Sequence, residues 1–108
     1  MKRGDIIVVA YGELGRPRPA VIVQADELGD ATQTVIACPV TSEVTAKLPL
    51  RPIVEANEGN GLRIRSQIMT DTILALPRDR VRQVIGSLDF QTSDKLDTAL
   101  LIVLGLAR

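Results

Sequence analysis

Two arginines and two hydroxyls carry most of the chemistry this sequence offers. Arg16 and Arg18 stand in "GRPRPAVIVQ" (15–24), each followed by a proline. Pro17 fixes its own φ, and Pro19 biases Arg18 toward extended geometry, so the segment is stiff before any tertiary contact forms. A guanidinium held this way presents a planar donor fork to a phosphate at little ordering cost. A solvated turn whose prolines end a strand would read the same. Thr41 and Ser42 follow the apolar run "VIACPV" (35–40). They are hydroxyls at a strand exit, able to donate to a phosphate oxygen or to hold a turn. Asp71 interrupts the apolar stretch "SQIMTDTILAL" (66–76). A carboxylate there needs a partner, and the loop arginines are candidates. Arg78, Asp79, Arg80 and Arg82 read as a solvated ion-pair face, with guidance of a polyanion as the other use.

What is absent narrows the chemistry. The chain has no histidine and one cysteine, Cys38. Ser-His-Asp and Cys-His nucleophiles, cysteine metal clusters and internal disulfides are all excluded. Cys38 reads as core, and a reduced, cytoplasmic protein is the simplest expectation. Lysine plus arginine equals aspartate plus glutamate at 13 each, so no bulk basic signal marks a nucleic-acid binder, although the arginines are grouped. Aromatics are only 2%, which argues against a base-stacking platform. No apolar run approaches the ~20 residues of a membrane span, and the N-terminus makes a poor signal peptide.

The elements that must position these residues are mostly short strands. At 108 residues the chain is expected to form one domain, 1–108. Strands are predicted at 5–10, 20–24 and 34–40, with weaker ones at 51–56, 66–76 and 81–88. "NEGNG" (57–61) reads as a loop, and "LPRDR" (76–80) as a turn or short helix. The period then changes: Leu96, Ala99, Leu100, Val103 and Leu104 mark one face of a C-terminal helix. Thr92 or Ser93 would cap it, Asp94 would lie in its first turn, and Gly105 would end it. Leu101 and Ile102 make it apolar on a second face, which predicts packing on the sheet and against a partner subunit. The expected fold is α+β, mainly β: a small curved antiparallel sheet with a C-terminal α-helix.

In order, "KRGDIIVV", "RPAVIVQ", "VIACPVTS", "KLPLRPIV", "SQIMTDTI", "RVRQVIGSLD" and "ALLIVLGL" resemble the MazF/PemK family of toxin endoribonucleases over nearly the whole chain. The resemblance implies an SH3-like barrel of the CcdB/MazF type, a homodimer, and metal-independent, cofactor-free cleavage of single-stranded RNA at short motifs. It also implies an acidic antitoxin that blocks the dimer. By the family's motifs, Arg18 and Thr41 would be the catalytic pair, with Arg16, Ser42 and Asp71 as RNA contacts. The loop "YGELGRPR" is shorter than is usual in the family, Thr72 stands where many members have Gln or Lys, and Leu74 replaces a basic residue seen in some of them. Two other readings remain: a gyrase poison of the CcdB type, disfavoured by the absence of tryptophan, and a non-enzymatic SH3-like binding module.

Overall fold

The computed structural model describes residues 1–10, 15–47 and 50–107. Its strands are β1 (Asp5–Ala10), β2 (Pro17–Ile22), β3 (Thr34–Thr41), β4 (Ile53–Val54), β5 (Ser66–Ile68), β6 (Leu74–Pro77) and β7 (Val81–Ser87), followed by one helix, α1 (Phe90–Val103). β1 buries residues of both parities, Ile6 with Ile7, Val9 and Ala10. A strand so apolar must lie between two cores, and it does. Ile6, Val21, Cys38, Val40, Val54 and Ile68 pack with Leu96 and Leu100 of the helix. On the other face Ile7, Val9, Ala20, Ile22, Val35, Ala37 and Leu76 fill the inside of the curl.

The strands form one antiparallel sheet in the order β4-β5-β3-β2-β1-β7. One edge of β3 pairs with β2; the other pairs first with β6, through Thr34–Ala37, and then with β5, through Val40 and Thr41. Two slips in the β1–β7 register, between Ile6 and Ile7 and between Val8 and Val9, add bends of the kind that curl a sheet. The helix closes one face. Leu96 is 1% exposed, and a leucine buried to that extent stabilises by about 1.5–3 kcal/mol. Gly105, at φ +72°, ends the helix: its N–H donates to the Ile102 carbonyl and that of Leu106 to the Leu101 carbonyl, two bonds that only a left-handed residue allows there.

Several expectations are corrected. β2 starts at Pro17 and ends at Ile22, so Arg18 lies within the strand rather than on a loop before it. The strand expected at 51–56 is only Ile53–Val54. The stretch 66–76 is two strands, because the chain turns at Thr70 and Asp71 and Thr72 N–H donates to the Met69 carbonyl. The helix cap is Asp89, whose carboxylate accepts from Thr92 N–H at 2.8 Å; no acidic residue lies in the first turn. Arg78 is no part of an ion-pair face with Asp79. It donates to the carbonyls of Thr32 (2.6 Å) and Gly29 (2.7 Å), clamping the β2–β3 turn onto a one-turn 3-10 helix at Arg78–Arg80. The first half of the shortened loop, 11–14, lies outside the described residues.

Candidate active site

β2 and β3 are laddered from Ile22–Ala37 through Val21–Cys38 to Ala20–Pro39, and no further. Pro19 and Pro39 have no amide hydrogen, and the ladder stops where these donors are missing. Beyond that point each strand stays ordered through its other neighbour. Pro17–Pro19 pair with Val8–Ala10 of β1, and Val40 and Thr41 pair with Ile68 and Gln67 of β5. Extending the lost register by two residues sets Arg18 across from Thr41.

A cleft of about 800 Å³ opens here. Arg18 lines it from β2, Thr41 from the end of β3, and Ser42 and Glu43 from the chain just after. The loop between β4 and β5 supplies Gly61, Leu62, Arg63 and Ile64, and Gln83 and Ile85 of β7 complete the wall. The Thr41 hydroxyl oxygen accepts from Glu43 N–H at 3.1 Å, a short side-chain turn. That bond occupies the acceptor side of the hydroxyl and leaves its proton for another acceptor. Behind the site Gln67, 3% exposed, holds the following segment in place. Its amide donates to the carbonyls of Thr45 (3.0 Å) and Arg51 (3.1 Å), and its oxygen accepts from Thr45 N–H at 3.1 Å.

The structure therefore brings three of the sequence-derived residues into one cleft: Arg18, Thr41 and Ser42. Arg16, exposed and one residue before β2, is not among the residues lining it. Asp71 lies elsewhere. Its carboxylate accepts two bonds from Arg51, from Nε at 2.7 Å and from the terminal nitrogen at 3.0 Å, so its partner is neither loop arginine. The Arg51 hydrogen bonds hold the Asp71 carboxyl below its ordinary pKa. By sequence Arg63 stood out only as one of a pair with Arg65 among the grouped arginines, and Glu43 did not stand out at all. The signal for Arg63 was the alternation "GLRIRS" (61–66), in which one arginine is used internally and the other is not: Arg65 Nε donates to Glu55 at 2.8 Å.

A second groove, of about 420 Å³, runs between α1 and the β2–β3 turn and is lined chiefly by apolar side chains, among them Leu28, Ile36, Leu101 and Leu104. Its charged residues, Arg3 and Asp97, form an ion pair with each other. It offers surface, not chemistry.

Residues 2–104 match the model of the family described as "PemK-like, MazF-like toxin of type II toxin-antitoxin system". A probable endoribonuclease MazF of Mycolicibacterium smegmatis is 36% identical over 109 residues, covering 99% of each chain. Among solved structures, the Mycobacterium tuberculosis toxin MazF-mt6 superposes with a TM-score of 0.83 at 22% identity, over 96% of this chain and 99% of its own. An endoribonuclease in complex with its cognate antitoxin, from a mycobacterial species, gives a TM-score of 0.77 at 24% identity over 100% and 96%. Both superpositions show the same fold: a curled antiparallel sheet with one C-terminal helix.

Proposed function

The chain belongs to the PemK-like, MazF-like toxin family of type II toxin–antitoxin systems, and from that membership we propose that the cleft between β2 and β3 cleaves single-stranded RNA at short sequence motifs without a metal. The activity class is endoribonuclease, as in its relatives. In the proposed reaction the ribose 2′ oxygen attacks the adjacent phosphorus and the bond to the 5′ oxygen breaks. The 2′ proton passes to solvent water and the 5′ oxygen takes one from it, so the products are a 2′,3′-cyclic phosphate and a 5′-OH end. Arg18 stabilises the charge gathering on the pentacovalent phosphorus and assists the departing oxygen. Thr41 donates its hydroxyl proton to a non-bridging oxygen, and Ser42 contacts the strand beside it. Charge stabilisation and orientation, which this chain can supply without histidine, are two of the reaction's demands.

The observation that carries this reading is the meeting of Arg18 and Thr41, from strands whose ladder ends at two prolines, in one cleft with the Thr41 proton left to give. The partners follow the same reading. They are an RNA strand, a cognate acidic antitoxin that occupies the toxin, and a second copy of the chain, all in the cytoplasm.

The test is incubation of purified protein with a long single-stranded RNA in excess EDTA, followed by mapping of the ends. Site-specific cuts leaving 5′-OH termini are expected, and Arg18→Ala should slow them by about 10²–10³. An Arg18→Ala protein cutting at the parental rate overturns the assignment. Intact RNA together with trapped gyrase–DNA complexes would make the chain a gyrase poison, and neither effect would make it a binding module.

A further inference from the structure

Arg63 enters the same cleft as Arg18 from an unrelated part of the chain. It lies in the loop between β4 and β5, whereas Arg18 lies on β2. Each is exposed, and neither has an ion-pair or hydrogen-bond partner among the described residues. Arg65, two residues on, is spent on Glu55. The charged groups lining the cleft are thus Arg18, Arg63 and Glu43, an excess of positive charge in a protein that is neutral overall.

The loop that carries Arg63 is tied down by its own side chains as far as Leu62. Asn57 and Asn60 each accept the other's backbone N–H, at 2.8 and 3.1 Å. The Asn60 side chain, in a residue 3% exposed, also donates to the Glu55 carbonyl at 2.8 Å and accepts from Leu62 N–H at 3.0 Å. Gly61, at φ +72°, lies so close to the Ile85 carbonyl that no side chain fits between them. A Cβ on Gly86 would sit 2.5 Å from the Gly59 oxygen. Two bare backbones therefore press together, and Ser87 N–H donates across the contact to the Gly59 carbonyl at 2.9 Å. An isolated surface arginine would give up side-chain and loop entropy on meeting a ligand. Here the backbone leading into Arg63 is already fixed, so the loop part of that cost is absent. Leu62, half-buried, and Ile64, 59% exposed, flank it with an apolar surface.

We propose that Arg63 forms a second phosphate subsite of the cleft, binding a phosphodiester neighbouring the one held by Arg18, with Leu62 and Ile64 against the intervening nucleoside. The ligand is the backbone of a single-stranded RNA, and the proposal rests on the nuclease reading of the cleft only for that choice of polyanion.

The test uses a mixed-sequence oligoribonucleotide methylated at every 2′ oxygen, which cannot be cut, with its binding followed against salt. Each phosphate neutralised on a single strand contributes about −0.7 to the slope of log K against log salt. Arg63→Gln should make the slope shallower by about 0.7 and weaken binding several-fold at low salt, while Arg65→Gln overlays the parent. Both side chains are exposed, so neither variant should disturb folding. An unchanged slope in Arg63→Gln, or an equal loss in Arg65→Gln, overturns the subsite. Arg63-dependent binding by a protein that leaves unmodified RNA intact would overturn the nuclease reading and still establish the subsite.

Discussion

Thr41 shows how much of this site depends on single atoms. Its oxygen accepts from Glu43 N–H on one lone pair, which leaves the hydroxyl proton free to be donated elsewhere. Thr41→Val keeps the shape and removes the donor, and should lower the rate constant for RNA cleavage by about 10²–10³, whereas Thr41→Ser should retain most of it. Single-turnover cleavage checks this, and a parental rate in Thr41→Val would remove Thr41 from the chemistry. Cys38 is the opposite case, a reactive side chain made inert. It lies on β3, 0% exposed and packed in the core shared with Leu96 and Leu100 of the helix, and burial pushes its thiol up to about 11 from an ordinary value near 9. The folded state therefore holds this proton more tightly than the unfolded one. The stabilisation is complete below about pH 9 and is lost as pH climbs through about 11. Native protein should not react with a thiol reagent at pH 8, unfolded protein should react at once, and Cys38→Ala should flatten the alkaline fall in Tm relative to the parent. Arg18, Thr41 and Ser42, which line one cleft, were picked out by the order of the motifs around them, since a proline beside an arginine or hydroxyls at a strand exit read equally well as turns. Sequence could not show that Asp71 belongs to Arg51, since that pairing spans 20 residues of chain and depends on how the β5–β6 turn folds back.

Strands and helix were legible to different degrees, for physical reasons that differ element by element. β1 was read to its exact ends because its β-branched run is bracketed by glycines in the sequence and both its faces are buried. β2 was read as starting at Ala20, since prolines ordinarily end a strand; it starts at Pro17 because the ladder to β3 has already ended there and β1 alone holds it. The start of the helix was placed too late because Phe90, 84% exposed, adds nothing to the apolar period, which begins at Leu96. The contact between the 57–62 loop and β7 left only two glycines as its trace, and their meaning depends on facing each other in space. It is also where an element controls the site. Gly86→Ala places a methyl 2.5 Å from backbone atoms of Gly59 and Asn60, so the loop must move. Such overpacking costs about 1–3 kcal/mol, and here it displaces Leu62, Arg63 and Ile64 together. A lowered Tm combined with weakened RNA binding is expected in Gly86→Ala. If only the Tm fell, the loop would be scaffold without a part in the cleft.

At the scale of the molecule, the helix has one covered face and one uncovered face. Leu96, Ala99 and Leu100 are buried on the sheet, while Leu101, Ile102, Leu104 and Leu106 are 46–60% exposed. Leu101, Leu104 and Leu106 border the apolar groove that Leu28 and Ile36 share. No described helix is long and apolar enough to cross a membrane, so this surface is not explained as part of a span. A contiguous apolar face on a small domain marks an interface, and a second copy related by a two-fold axis would cover it with the same residues from the other side. None of the residues lining the Arg18–Thr41 cleft lines this groove. Leu104→Glu puts a charge in the middle of the proposed contact without touching the buried residues of the helix. Light scattering behind size exclusion should find the parent near twice the 11.7 kDa chain mass and the variant near that mass, with circular dichroism unchanged between them. A variant that remains dimeric would move the interface off this helix face, and a parent that is already monomeric at tens of micromolar would leave the exposed leucines for a different partner.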